Sequence, residues 1–134
     1  MQNNAAKEGL RWLAQSQSDL DDARYLFEGG RYNTCCFFCQ QAAEKAIKAY
    51  LYQQGAEHVY GHSVAELCRE AARLDQAFAD IKTAVSPLDV YYIPTRYPNG
   101  LPGGIPSEAF AREDAERALV MAGKTITLVI KIMA

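Results

Sequence analysis

Three tyrosines and one arginine crowd into Tyr91-Tyr92-Ile93-Pro94-Thr95-Arg96-Tyr97-Pro98. An arginine offers a planar fork of donors that fits phosphate oxygens, and a flat face that stacks on a base. Tyrosines add stacking faces and hydroxyls, so Arg96 with Tyr92 and Tyr97 forms a candidate site for a nucleotide or an RNA phosphate. The same residue types also permit a plainer arrangement, with Arg96 paired to an acid such as Asp89 and the tyrosines closing the end of a helical core. Two lysines, Lys45 and Lys48, stand three residues apart, with Arg31 upstream. If Arg96 folds back towards them they would form a small basic cleft, whereas Glu44, four residues before Lys48, has the order of a solvated helical ion pair.

Other chemistry is weaker on spacing. His58 and His62 are four apart, but Gly61 and the start of a helix at Ser63 put them in a loop, and no second pair of ligands accompanies them; no metal and no cofactor is assigned. Glycines 100, 103 and 104 follow no strand and match no phosphate-loop pattern, so they read as turn punctuation. Cys36-Phe37-Phe38-Cys39 has redox spacing without the βαβ context that would give it meaning. Cys35, Cys36, Cys39 and Cys68 therefore read as reduced, small, buried hydrophobes.

The elements that must hold these residues follow from period and punctuation. Leu13, Leu20 and Phe27, with Ser16 and Ala23 between them, define a helical stripe from about Ala5 to Glu28, ended by Gly29-Gly30. A second helix, with Asn33 or Thr34 at its start, runs to Gln54 before Gly55, and buries Cys36, Cys39, Ala43, Ala46, Ile47 and Tyr50. Phe37, Phe38, Leu51 and Tyr52 give it apolar surface beyond one stripe, which places it centrally or against another chain. Ser63 with Glu66 predicts a capping box for a short third helix with Leu67, Ala71 and Leu74 inward. A fourth stretch spans Asp75 to Tyr92, broken near Ser86 by Pro87. The Pro/Gly-rich run from Ile93 to Pro106 is a long loop, and Ser107 is expected to cap a last helix with Ala115, Leu119, Ala122, Ile126, Val129 and Met133 inward. These add up to an all-α, up-and-down four-helix bundle with an additional short helix, in a single domain over residues 1–134.

Composition agrees with one core. The chain has 134 residues, 49% of them hydrophobic, and a net charge of −2, which excludes a generic basic coat for nucleic acid while allowing a local site. It has neither an apolar run of membrane-spanning length nor an export signal in its first residues, so a cytoplasmic protein is expected.

The chain resembles the HEPN family of helical domains. The resemblance runs through Trp12 to Leu20 and Ala23, Gly30-Arg31-Tyr32, Cys36-Phe37-Phe38-Cys39-Gln40-Gln41-Ala42-Ala43-Glu44-Lys45-Ala46-Ile47-Lys48-Ala49, His62-Ser63, and Tyr92 with Thr95-Arg96-Tyr97-Pro98. It implies a helical bundle, a homodimer, and an association with a minimal nucleotidyltransferase as a toxin–antitoxin-like pair, the family including ribonucleases and nucleotide-binding modules. Ribonuclease members carry an arginine, four to six residues of spacer and a histidine. Here the corresponding positions after Arg96 are Leu101, Pro102 and Gly103, so the motif is incomplete and no catalytic residue is assigned. The expectation is a nucleotide- or RNA-phosphate-binding protein using Arg96, Tyr97, Tyr92, Lys45 and His62. The alternatives are an RNA endonuclease with a non-standard site, in which His62 or a tyrosine hydroxyl replaces the missing histidine, and an oligomerisation or partner module without a ligand.

Overall fold

The structure, a computed structural model, describes the chain from residue 2 and its side chains from residue 4. The helices are α1 (Gln2–Glu28), α2 (Tyr32–Gln53), α3 (Val64–Ala71), α4 (Ala77–Val85), a single turn α5 (Pro106–Ala109) and α6 (Arg112–Met133). Among the described residues there is no strand. The β-branched end of α6 is helical, as its three-and-four periodicity requires.

Glycine ends the first two helices. Gly30, at φ +73°, lets Arg31 N–H reach Leu26 C=O at 2.9 Å and Gly30 N–H reach Phe27 C=O at 3.1 Å. Gly55, at φ +104°, repeats the pattern after α2, with Ala56 N–H on Leu51 C=O at 3.2 Å. Such left-handed caps satisfy carbonyls that a helix end leaves open. The start of α2 differs from expectation: Arg31 occupies the cap position and no side chain caps it. Asn33 instead donates to Thr95 C=O at 3.0 Å, tying the Pro/Gly loop to the helix.

The legs of the bundle alternate in direction. Gly9 of α1 lies against Ala49 and Gln53 at the far end of α2, where a Cβ would stand 2.9 Å from Ala49 C=O; only glycine allows that approach. Tyr50, near the end of α2, meets Phe78, at the start of α4, with ring centroids 4.9 Å apart. From there α4 passes into a 3-10 segment, Ser86–Tyr91, whose end returns to the start of α2, as the 6.3 Å approach of Phe37 and Tyr92 marks. Pro87 sits in the first turn of that segment, where its missing donor costs nothing. Then α6 runs back beside α2, and Gln53 donates to Met133 C=O at 3.2 Å. The core, with α2 at its centre, is built on Leu13, Leu20 and Ala23 of α1, the expected stripe of α2 with Leu51 and Tyr52, Phe78, Val85, Leu88, and Ala115, Ala122, Ile126 and Val129 of α6.

All four cysteines are free and fully buried. Burial pushes the Cys36 thiol up to about 12 and the Cys68 thiol to about 11, which makes them inert packing groups.

Three further local expectations are corrected. Leu74 is exposed, because α3 ends at Ala71 and the stripe stops with it. Ser107 lies inside α5 and does not cap the last helix; the chain is extended at Phe110, whose ring packs edge-on to Tyr91, and Asp114 accepts from Ala111 N–H at 2.8 Å to start α6. At α3, Ser63 Oγ accepts from Glu66 N–H at 3.1 Å as expected, but the carboxylate meeting the helix start belongs to Asp89, which accepts from Ser63 Oγ and from Val64 and Ala65 N–H.

Candidate functional site

The Pro/Gly loop opens with a tight turn. Thr95 is buried and its hydroxyl donates to Tyr91 C=O, Arg96 and Tyr97 N–H both reach Ile93 C=O, and Asn33 holds Thr95 from α2. That turn aims Arg96 at a cluster of aromatic rings. Its guanidinium carbon lies 4.3 Å from the Phe37 ring centroid, 4.7 Å from Tyr92 and 5.1 Å from Tyr97. Its Nε donates to Tyr92 C=O at 2.8 Å. The ring contacts and one bond at Nε hold the guanidinium, and its terminal nitrogens have no hydrogen-bond partner among the described residues. Among the described residues no carboxylate lies within 4.0 Å of Arg96. The alternative pairing with Asp89 does not occur, because Asp89 is engaged at the start of α3.

His62 arrives from the loop before α3 and stacks on Tyr92, ring centroids 4.6 Å apart and 17° from parallel. Its Nδ1 faces Glu44 of α2, 3.2 Å from Oε1 and 3.3 Å from Oε2. Thus Arg96, Tyr92, Tyr97 and His62, separated by up to 35 positions in the chain, share one aromatic cluster at the start of α2. His58 is not part of it; it stacks on Tyr60 instead. Among the described residues no three His, Cys, Asp or Glu side chains are placed to hold a metal ion.

Lys45 is not among the side chains that meet Arg96. It points to the α1 side and pairs with Asp19 at 2.6 Å, an acid that also accepts from Gln15. Lys48 corrects the solvated-face reading: it and Glu44 are both buried, 3.0 Å apart, and the ammonium sits 5.8 Å from the centroid of Trp12, which itself stacks on Tyr52. The basic cleft of α2 lysines is therefore absent, and the positive group at the cluster is Arg96.

Two members of the cluster were not singled out from the sequence, Phe37 as a platform and Glu44 as a partner of His62. A signal existed: Gln40, Gln41, Glu44 and Lys48 fall at helical spacing on one side of α2, a polar run that begins one turn after Phe37.

The all-helical fold agrees with the resemblance read from the sequence. The HEPN domain profile matches residues 10–133, and the chain belongs to this family. It is 35% identical to TT1696 from Thermus thermophilus, a crystal structure superposing with a TM-score of 0.86 over 96% of this chain and 98% of that one. ST0689, described as an archaeal HEPN homologue, gives 35% identity and a TM-score of 0.78 over 95% and 98% of the two chains. A protein of Methanocaldococcus jannaschii named "Putative toxin MJ1304" is 26% identical over 116 residues, 81% of this chain and 76% of that protein.

Proposed function

We propose that this chain is a toxin-like HEPN protein that binds a nucleotide or an RNA phosphate at Arg96, with Tyr92 and Tyr97 as stacking faces and His62 as a polar contact. The observation that carries the reading is Arg96 itself, a guanidinium within about 5 Å of three aromatic ring centroids, with no acid among the described residues to neutralise it. An orienting platform without a counter-charge is what phosphate recognition needs, and the flanking rings suit an unpaired base. Lys45, already paired with Asp19, contributes at most long-range charge. The name of the Methanocaldococcus relative supports the toxin-like part. The family resemblance supports a nucleotidyltransferase as protein partner, a second copy of the chain as the other, and the cytoplasm as the place of action.

A ligand that binds only the folded state raises its apparent stability by mass action. Thermal-shift titration with ATP and with a short single-stranded RNA should raise the melting temperature of the wild type and leave Arg96→Ala unmoved. Equal shifts in both proteins would remove Arg96 from the site. A second reading, RNA cleavage by the same cluster, is favoured by His62, whose ring is braced by a carboxylate as in a general acid–base pair. Cleavage of a labelled RNA by wild type and not by Arg96→Ala or His62→Ala separates the enzyme from the binding module.

A further inference from the structure

We infer that Glu44 is a positioning residue: it holds the imidazole of His62 as the tautomer protonated at Nδ1, which turns Nε2 outward as a hydrogen-bond acceptor at the aromatic cluster that also holds Arg96. The inference rests on the site proposed above but concerns a residue that the resemblance and the residue types left as a helical ion-pair partner.

His62 is anchored twice from α2. Gln40 Nε2 donates to the His62 backbone carbonyl at 2.8 Å, fixing the loop, while Glu44 meets ring atom Nδ1, fixing the side chain. The ring is further stacked on Tyr92. Yet the His62 side chain is 56% exposed, and Nε2 has no hydrogen-bond partner among the described residues. One edge and one face are held by protein, which leaves the Nε2 edge for a ligand.

The chemistry of the partner decides which nitrogen carries the proton. An ionised carboxylate only accepts, so the bond requires a proton on Nδ1, and in the neutral ring Nε2 is then the acceptor. Glu44 is built for this. Its side chain is 5% exposed, and it accepts from Lys48 at 3.0 Å, from Gln40 at 3.2 Å and from Gln41 at 3.4 Å, so its counter-charge and its orientation both come from α2. A carboxylate serving only as the partner of Lys48 would not also need two amides and a loop histidine. On the cluster it shares with the Arg96 fork through Tyr92, an accepting Nε2 suits a ligand that carries both a hydroxyl and a phosphate, as a ribose phosphate does.

Ring-nitrogen NMR of isotope-labelled protein tests this without any ligand. The chain has two histidines, so His58→Gln assigns the signals. In its neutral form the His62 ring should carry its proton on Nδ1. Removing Glu44 alone would strand Lys48 as a buried charge, so the variant is Glu44→Leu with Lys48→Met, an apolar pair of similar volume whose folding is checked by circular dichroism. In that protein the proton should move to Nε2, and the affinity for a short, terminally phosphorylated RNA should fall about tenfold, to that of His62→Ala. Adding His62→Ala to the double variant should cost nothing more. A wild-type ring protonated at Nε2, or a tautomer unchanged in the folded double variant, overturns the inference. If the tautomer shifts as stated while wild type binds no RNA, the assignment of Glu44 stands and the ligand reading fails.

Discussion

At the scale of single residues, environment decides what each side chain can do. Arg96 and Lys45 are both cations that sequence alone put at one site, but Lys45 is spent on Asp19 while Arg96, among the described residues, meets aromatic faces and a carbonyl and no acid. The cysteines make the complementary case. The thiolate is the nucleophile; because all four thiols are fully buried, and burial also holds Cys36 near 12 and Cys68 near 11, iodoacetamide should label the native protein slowly at neutral pH and label all four thiols once it is denatured. These raised values also set a pH window. The fold favours the neutral thiols, so their contribution is intact below the ordinary value of 9.0 and is lost as pH climbs from there through 11 and 12. Thermal midpoints measured across that range should fall, with a smaller fall in a Cys68→Ala protein.

At the scale of elements, one carboxylate joins two segments that are distant in the chain. Asp89, in the 3-10 segment after α4, accepts from Ser63 Oγ and from two amides at the start of α3. Those amides have no partner within the helix, so the carboxylate both caps α3 and locks the loop that delivers His62. Asp89→Ala should lower stability by about 2 kcal/mol, read as a lower urea midpoint with an unchanged slope. Because His62 directly precedes Ser63, the same variant should weaken nucleotide binding. Binding unchanged in a measurably destabilised protein would show that the loop is held by Gln40 and Glu44 alone. The Pro/Gly segment follows the same logic: Asn33 and Thr95 tie down its first residues, and those are the ones that carry Arg96.

At the scale of the whole molecule, the question is how much apolar surface one small bundle leaves uncovered. Val90, Ile93, Tyr97 and Ile105, in the segment from the end of the 3-10 helix to α5, and Val120 and Ile130 of α6 are each more than 40% exposed. Scattered singly such residues need no partner, but Val90, Ile93 and Tyr97 follow one another closely in the chain beside Arg96. The homodimer expected from the resemblance would cover part of this surface. Sedimentation at micromolar concentration should then show twice the 14.9 kDa chain mass. A single-chain species would refute the dimer and leave the cluster open to solvent on its own. No helix among the described residues is long and apolar enough to cross a membrane.

What the sequence by itself determined was local or periodic. The all-helical fold, the glycine ends of α1 and α2, the buried stripe of α2, the break at Pro87 and the inert cysteines all follow from spacing, capping chemistry and residue volume, which act within a few turns of one helix. The aromatic run around Arg96 was legible for the same reason. Tertiary structure decided the rest. It chose Asp19 for Lys45, Asp89 for the start of α3, Thr95 for Asn33 and Glu44 for His62, all pairs at least 18 positions apart. Each pair contains at least one polar group partly or fully withdrawn from water, and which partner it finds depends on how the helices pack, which no local pattern encodes.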